Sequence, residues 1–170
     1  MRTGRPVILA PEGETAYKQF MGAANNDTKI HLKVEASSKD NNDGLHQPHD
    51  ANGKALNWNK DTKTFDGTPA YIKDSNGNLA YKEATITLYT NNITEDANFF
   101  KSDLGFSKMT VGIMMTSTFS HEMEHDLNSG DIKSIQDRQQ GNEDGRDPEA
   151  AATAIGRKVI GEALYNAGQK

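Results

Sequence analysis

Thr116-Ser117-Thr118-Phe119-Ser120-His121-Glu122-Met123-Glu124-His125-Asp126-Leu127 is the stretch from which the rest of the chain can be read outward. Its centre spells H-E-x-x-H. Positions four apart on a helix stand one turn apart on the same face. Two imidazoles so placed can grip one zinc ion, and the Glu122 carboxylate can take a proton from water beside it. The residues before the motif support a helix. Met109 to Phe119 contain no proline, and Val111, Met115 and Phe119 recur every four residues with Met114 beside them, a stripe expected to be buried. Asn128-Ser129-Gly130 reads as a stop. The motif is therefore expected near the C-terminal end of an amphipathic helix.

A length of 170 residues predicts one domain over 1–170, long enough to bury a real core. Hydrophobic residues make up 34% and charged residues 25%, with Asn, Asp and Lys crowded into the middle. That predicts solvated loops around a modest core. A net charge of only −5 and periodic apolar segments argue against a disordered chain. A pI near 5.5 speaks against nucleic acid as a partner. No apolar run has membrane-spanning length. Met1 to Arg5, leading into the short apolar patch Val7 to Ala10, does not read as a signal peptide. There is no cysteine, so disulfides and thiolate metal sites are excluded. A metal site here must draw on His, Asp, Glu or Tyr, and the chain has five histidines.

Around the motif, helical spacing with acids in front predicts a helix over 13–24. Residues 28–36 alternate, with Ile30, Leu32 and Val34 facing the core and His31, Lys33 and Glu35 facing solvent. Residues 37–68 read as the least regular part. His46 and His49 lie there as H-Q-P-H, where Pro48 disfavours a helix; an accessory metal or substrate-loop role stands beside plain solvation. Tyr71 to Lys73 and Leu79 to Thr90 form a predicted hairpin around Asn76-Gly77. Thr94 to Asp103 is a short helix or a flap, and Ile132 with Ile135 suggests one further helical turn. Asp147-Pro148 opens a last helix, with Asp as cap and Pro at the first helical position.

A catalytic zinc usually takes three protein ligands. The extended pattern H-E-x-x-H-x-x-G-x-x-H is absent, because Asn128 and Asp131 stand where its glycine and third histidine would be. Glu149, in the first turn of the last helix, is the best third ligand. Ala152, Thr153 and Gly156 follow it on one face, and small residues let two helices approach closely. Asp147 is the runner-up, with capping as its competing role; Asp131, Glu143, Asp144 and Glu162 rank lower.

H-E-M-E-H within T-S-T-F-S-H-E-M-E-H-D-L, followed by a glutamate on the later helix D-P-E-A-A-A-T-A-I-G, resembles the gluzincin-type HExxH zinc metallopeptidases. More narrowly it resembles small metallopeptidase effectors and the C-terminal domains of bacterial polymorphic toxins, including Rhs-type toxin tips. The resemblance covers about a third of the chain. It implies a small α+β zincin-like domain, with an antiparallel sheet packed on the metal-binding helix and the C-terminal helix. It implies zinc on His121, His125 and Glu149, Glu122 as catalytic base, and a protein or peptide substrate lying along an edge strand, here assigned to Tyr81–Thr90. It further implies delivery by a bacterial secretion system, action in a target-cell cytoplasm, and a cognate immunity protein or secretion carrier as partner. For the oxyanion, Tyr89, Tyr165, Arg157 and the loop histidines all stay open. Two alternatives remain: a non-proteolytic zinc hydrolase, and a metal-free interaction module.

Overall fold

In chain order the elements are α1 (Gly13–Asn25), β1 (Lys29–Glu35), β2 (Gly44–Pro48), β3 (Trp58–Asn59), β4 (Thr64–Phe65), β5 (Tyr71–Lys73), β6 (Leu79–Tyr81), β7 (Glu83–Tyr89), α2 (Thr90–Ser102), α3 (Val111–Leu127), α4 (Ser129–Gln139) and α5 (Pro148–Asn166). The computed structural model describes residues 13–142 and 145–169. The patch Val7 to Ala10 and the candidates Glu143 and Asp144 lie outside the described residues. The architecture is α+β, as the sequence predicts.

β7 is the centre of the main sheet because both its faces are closed: Ala84, Ile86 and Leu88 on one, Thr85 and Thr87 on the other, are all buried. The strand order is β1-β7-β2. β2 pairs antiparallel, with Gly44 opposite Leu88 and Pro48 opposite Ala84, whereas β1 pairs parallel, with Lys29 opposite Glu83. The sheet is thus mixed, not wholly antiparallel. The predicted strand from Leu79 to Thr90 is broken at Lys82. Its first part, β6, pairs with β5 in a separate hairpin turned by Gly77 at φ +82°, a conformation that favours glycine.

β1 lies within the predicted residues, but its inward face is covered only at Ile30. Leu32 is 55% exposed and Val34 60% exposed. Edge strands receive one neighbour instead of two, and no helix reaches over this half of β1. His31, expected to be solvated, instead contacts Glu83 across the sheet.

α3 is the hub. Thr110 caps it, its hydroxyl accepting from the Ile113 N–H at 3.1 Å. The helix packs against α1, α2, α5, β2 and β7. Burial therefore extends most of the way round: Ser117, Thr118, Ser120, Glu122 and Asp126 are enclosed along with Ile113, Met114, Phe119 and Met123. The predicted stripe is shifted, since Val111 in the first turn is exposed. Asn128 does end α3, but its side chain at once caps α4 by accepting from Asp131 N, so the predicted single turn is a full helix.

α5 lies antiparallel to α3, and the small-residue stripe is its contact. The Ser117 hydroxyl donates to the Gly156 carbonyl at 2.9 Å. A Cβ on Gly156 would stand 3.3 Å from Ser117 Oγ and 3.6 Å from His121 Cβ. Gly156→Ala should therefore shift stability by no more than about 1 kcal/mol, its helix propensity gain offsetting the tight contact. Gly156→Leu should cost about 1–3 kcal/mol or more through overpacking. Urea denaturation of the two variants checks the difference; equal midpoints would mean the helices are not in close contact here.

Candidate metal centre

His121 and His125 lie one turn apart on α3, and their ligand atoms together with that of Glu122 lie within 4.8 Å of one another. The antiparallel run of α5 carries its first turn over this spot. Glu149 Oε2 stands 3.3 Å from His121 Nε2, and Glu149 Oε1 stands 3.6 Å from His125 Nε2. Ligands about 2.0–2.1 Å from a tetrahedral ion are separated by about 3.3–3.4 Å. The Glu149 carboxylate thus stands close to ligand–ligand spacing from each imidazole, and the three side chains could hold a divalent cation. Asp147, the runner-up, does not join them. Its carboxylate accepts from Glu149 N at 3.1 Å as the α5 cap. Asp131 is buried against Arg146, and Glu162 accepts from Thr15 N and Oγ1 at the start of α1.

The electrostatics sort these groups. Burial pushes His125 down, as does the neighbouring His46, leaving its ring in the neutral form that ligates metals. Glu149 is held below the usual carboxylate range by its bond to His121, against the opposing effect of burial. Burial acts to lower His121, but Glu149 and Glu122 outweigh it and the result is a raised value. Glu122 is only 7% exposed; burial drives it up to about 7, with His121 and His46 pulling the other way. A carboxyl poised there can both take and return a proton near neutrality.

β2 completes the centre. Its inward side chains follow α3: Gly44 sits over Thr118 and Glu122, and His46 lies over His125 and Asp126. A Cβ on Gly44 would fall 2.6 Å from Glu122 Oε1 and 2.7 Å from Thr118 Cγ2, so only glycine leaves room for the carboxylate. His46 is enclosed, with Nε2 3.2 Å from Asp126 Oδ2, in charge contact but off the line of a hydrogen bond. Its ring lies 5.5 Å from that of His125 and 5.6 Å from that of Tyr81. Burial lowers His46, yet Asp126, then Glu122 and Glu149, overcome this and raise it.

Sequence reasoning placed His46 in an irregular loop and missed Asp126 altogether. A usable signal was the H-Q-P-H spacing, which puts His46 and Pro48 on one strand face, with proline tolerated at the end of an edge strand. His49 has a different fate: Nε2 lies 2.8 Å from Thr85 Oγ1, on the opposite face of the sheet.

Beside these groups opens a cleft of about 770 Å³. Gly44, Leu45 and His46 form one wall, the β3–β4 hairpin continues it, and α5 forms the other. β7 cannot be the strand that takes a peptide, because β1 and β2 occupy both its edges. The strand edge at the cleft is that of β2, which has no second strand partner from Gly44 to Gln47 among the described residues. Of the oxyanion candidates, Arg157 and His46 line the cleft, while Tyr89 does not and Tyr165 is 80% exposed. No helix among the described residues is long and apolar enough to cross a membrane. No protein-family model, no curated protein and no solved structure matches this chain.

Proposed function

We propose that the chain is a zinc-dependent endopeptidase that cleaves a protein target. The observation that carries this reading is the convergence of Glu149 on both motif imidazoles, beside a buried Glu122 and at the floor of an open cleft. His121, His125 and Glu149 would hold the zinc. When bound, the ion supplies Lewis acidity that activates water and polarises a carbonyl. Glu122 takes the proton of the attacking water and passes it to the leaving nitrogen as the C–N bond breaks. The peptide lies extended along the free edge of β2, its main chain pairing with the strand. Gly44 keeps Glu122 clear to face it.

From the resemblance of the motif and the late helix we further infer a bacterial effector or toxin domain. It would be delivered by a secretion system to act in a target-cell cytoplasm, with an immunity protein or secretion carrier as partner. The test is to strip the chain with a chelator, restore it with zinc, measure metal per chain by elemental analysis, and expose both forms to a proteome-derived peptide library. Expected are one zinc per chain and cleavage that only the restored form performs. Zinc without any cut peptide would leave a hydrolase of another substrate. No bound metal would leave an interaction module.

A further inference from the structure

The two ends of the cleft differ in character. β2 starts at Gly44, above Glu122, and ends at Pro48, whose carbonyl accepts from Leu56 N at 2.9 Å. Gln47 Nε2 donates to Asn57 Oδ1 at 2.9 Å, which ties the β3–β4 hairpin to this end. The hairpin's Trp58 is half-buried and lines the cleft, stacked edge-on against Phe65 at 5.0 Å. Ile135 of α4 joins them at the cleft wall. Lys60 and Lys63, in the turn of the same hairpin, are exposed to the cleft, and neither has an ion-pair partner among the described residues. Toward the Gly44 end the β-side lining carries Asp40, Asp43 and Asp96, while α5 on the facing wall adds Arg157 and, in its cap, Asp147.

We propose that the β3–β4 hairpin is the specificity subsite of the cleft, taking a large apolar side chain on Trp58, Phe65 and Ile135 with an acidic neighbour held by Lys60 and Lys63. This rests on the endopeptidase reading for its place in a reaction, but binding at the subsite can be measured without turnover. Antiparallel pairing runs the peptide opposite to β2, so residues reaching the hairpin lie before the bond that is cut. Side chains alternate along an extended peptide, so the apolar one can turn down to the aromatic floor while its neighbour meets the lysines. The carboxylates at the far end repel acidic residues there and favour basic ones after the cut. Along the β-side wall the lysine pair at the hairpin and the three acids beyond Gly44 thus give the groove a direction as well as a composition.

Trp58 is the only tryptophan in the chain, so its fluorescence reports directly on this subsite. The probe is a ten-residue peptide without tryptophan, with glutamate beside leucine in its N-terminal half and lysine in its C-terminal half. Its control is the reversed sequence. Titrated into zinc-loaded Glu122→Gln protein, the first peptide should shift Trp58 emission and bind at least about tenfold tighter than the control, the scale expected for one apolar side chain plus charge pairing. The exposed double variant Lys60→Glu/Lys63→Glu should fold normally and lose or invert that preference. Equal affinities for the two peptides, an unmoved emission spectrum, or a preference untouched by the lysine replacements would each overturn the subsite. Selective binding with no cleavage of the peptide by the wild-type chain would leave the subsite standing and remove the endopeptidase reading.

Discussion

Replacing Glu122 with Gln should cut peptide hydrolysis by about 10²–10⁴, the usual worth of a general acid–base group, while zinc content stays the same. The amide keeps the volume of the carboxyl, so the space beneath Gly44 is filled as before and the fold should be unchanged. The carboxyl is enclosed and driven toward neutrality by that enclosure, with His121 and His46 restraining it. An amide there can neither take nor return a proton. Single-turnover kinetics together with elemental analysis separate the two effects. Full activity in this variant would remove Glu122 from the chemistry, and loss of zinc along with activity would make it a ligand instead of a base.

The second large effect is expected at Glu149. Glu149→Ala removes one corner of the three-donor arrangement and should weaken zinc binding by more than the about 10–100-fold that loss of an outer hydrogen-bond partner costs. Helix α5 should survive, because Asp147 and Pro148 set its start and Glu149 contributes no buried apolar area to it. Glu149→Asp is the useful companion. It keeps the charge but shortens the reach to both imidazoles, so it should fall between the native chain and the alanine variant. Competition against a fluorescent zinc chelator gives the affinities. Unchanged affinity in Glu149→Ala would eliminate this residue as a ligand.

Much of this arrangement is readable in the sequence because it rests on local signals. The four-residue spacing of His121 and His125 needs only a helix to bring them together, and Asp147-Pro148 marks where the next helix begins. The small residues at Ala152 and Gly156 announce a close helix contact, and that contact is what swings Glu149 over the motif. What the sequence hides is non-local. β2 is five residues long, contains a glycine and a proline, and shows no apolar alternation, so nothing in its own composition marks a strand. Its identity comes from β7, which supplies the hydrogen bonds. The sequence pattern therefore points to β7 as the free edge, whereas the open edge belongs to β2, and it gives no sign that His46 and Asp126 meet beside His125. The same non-locality explains β1, whose alternating pattern is genuine but whose apolar side is covered at Ile30 and left open at Leu32 and Val34.

The buried apolar residues fall into two bodies of unequal size. The larger joins α2, α3, α5 and β7 around Ile86, Ile93, Phe119 and Met123. The smaller gathers Leu56, Phe65 of β4, Tyr81 of β6 and Ile132 and Ile135 of α4, with Trp58, Tyr71 and Leu79 of the short hairpins packed against it. Resistance to local opening scales with the apolar surface a region buries. Amides of the β3–β6 segment should therefore exchange with deuterium well before those of α3 and α5. The groove then has one stiff bank bearing His121, His125 and Glu149 and one yielding bank bearing Trp58, so breathing of the hairpin can widen the groove while the spacing of the three side chains holds still.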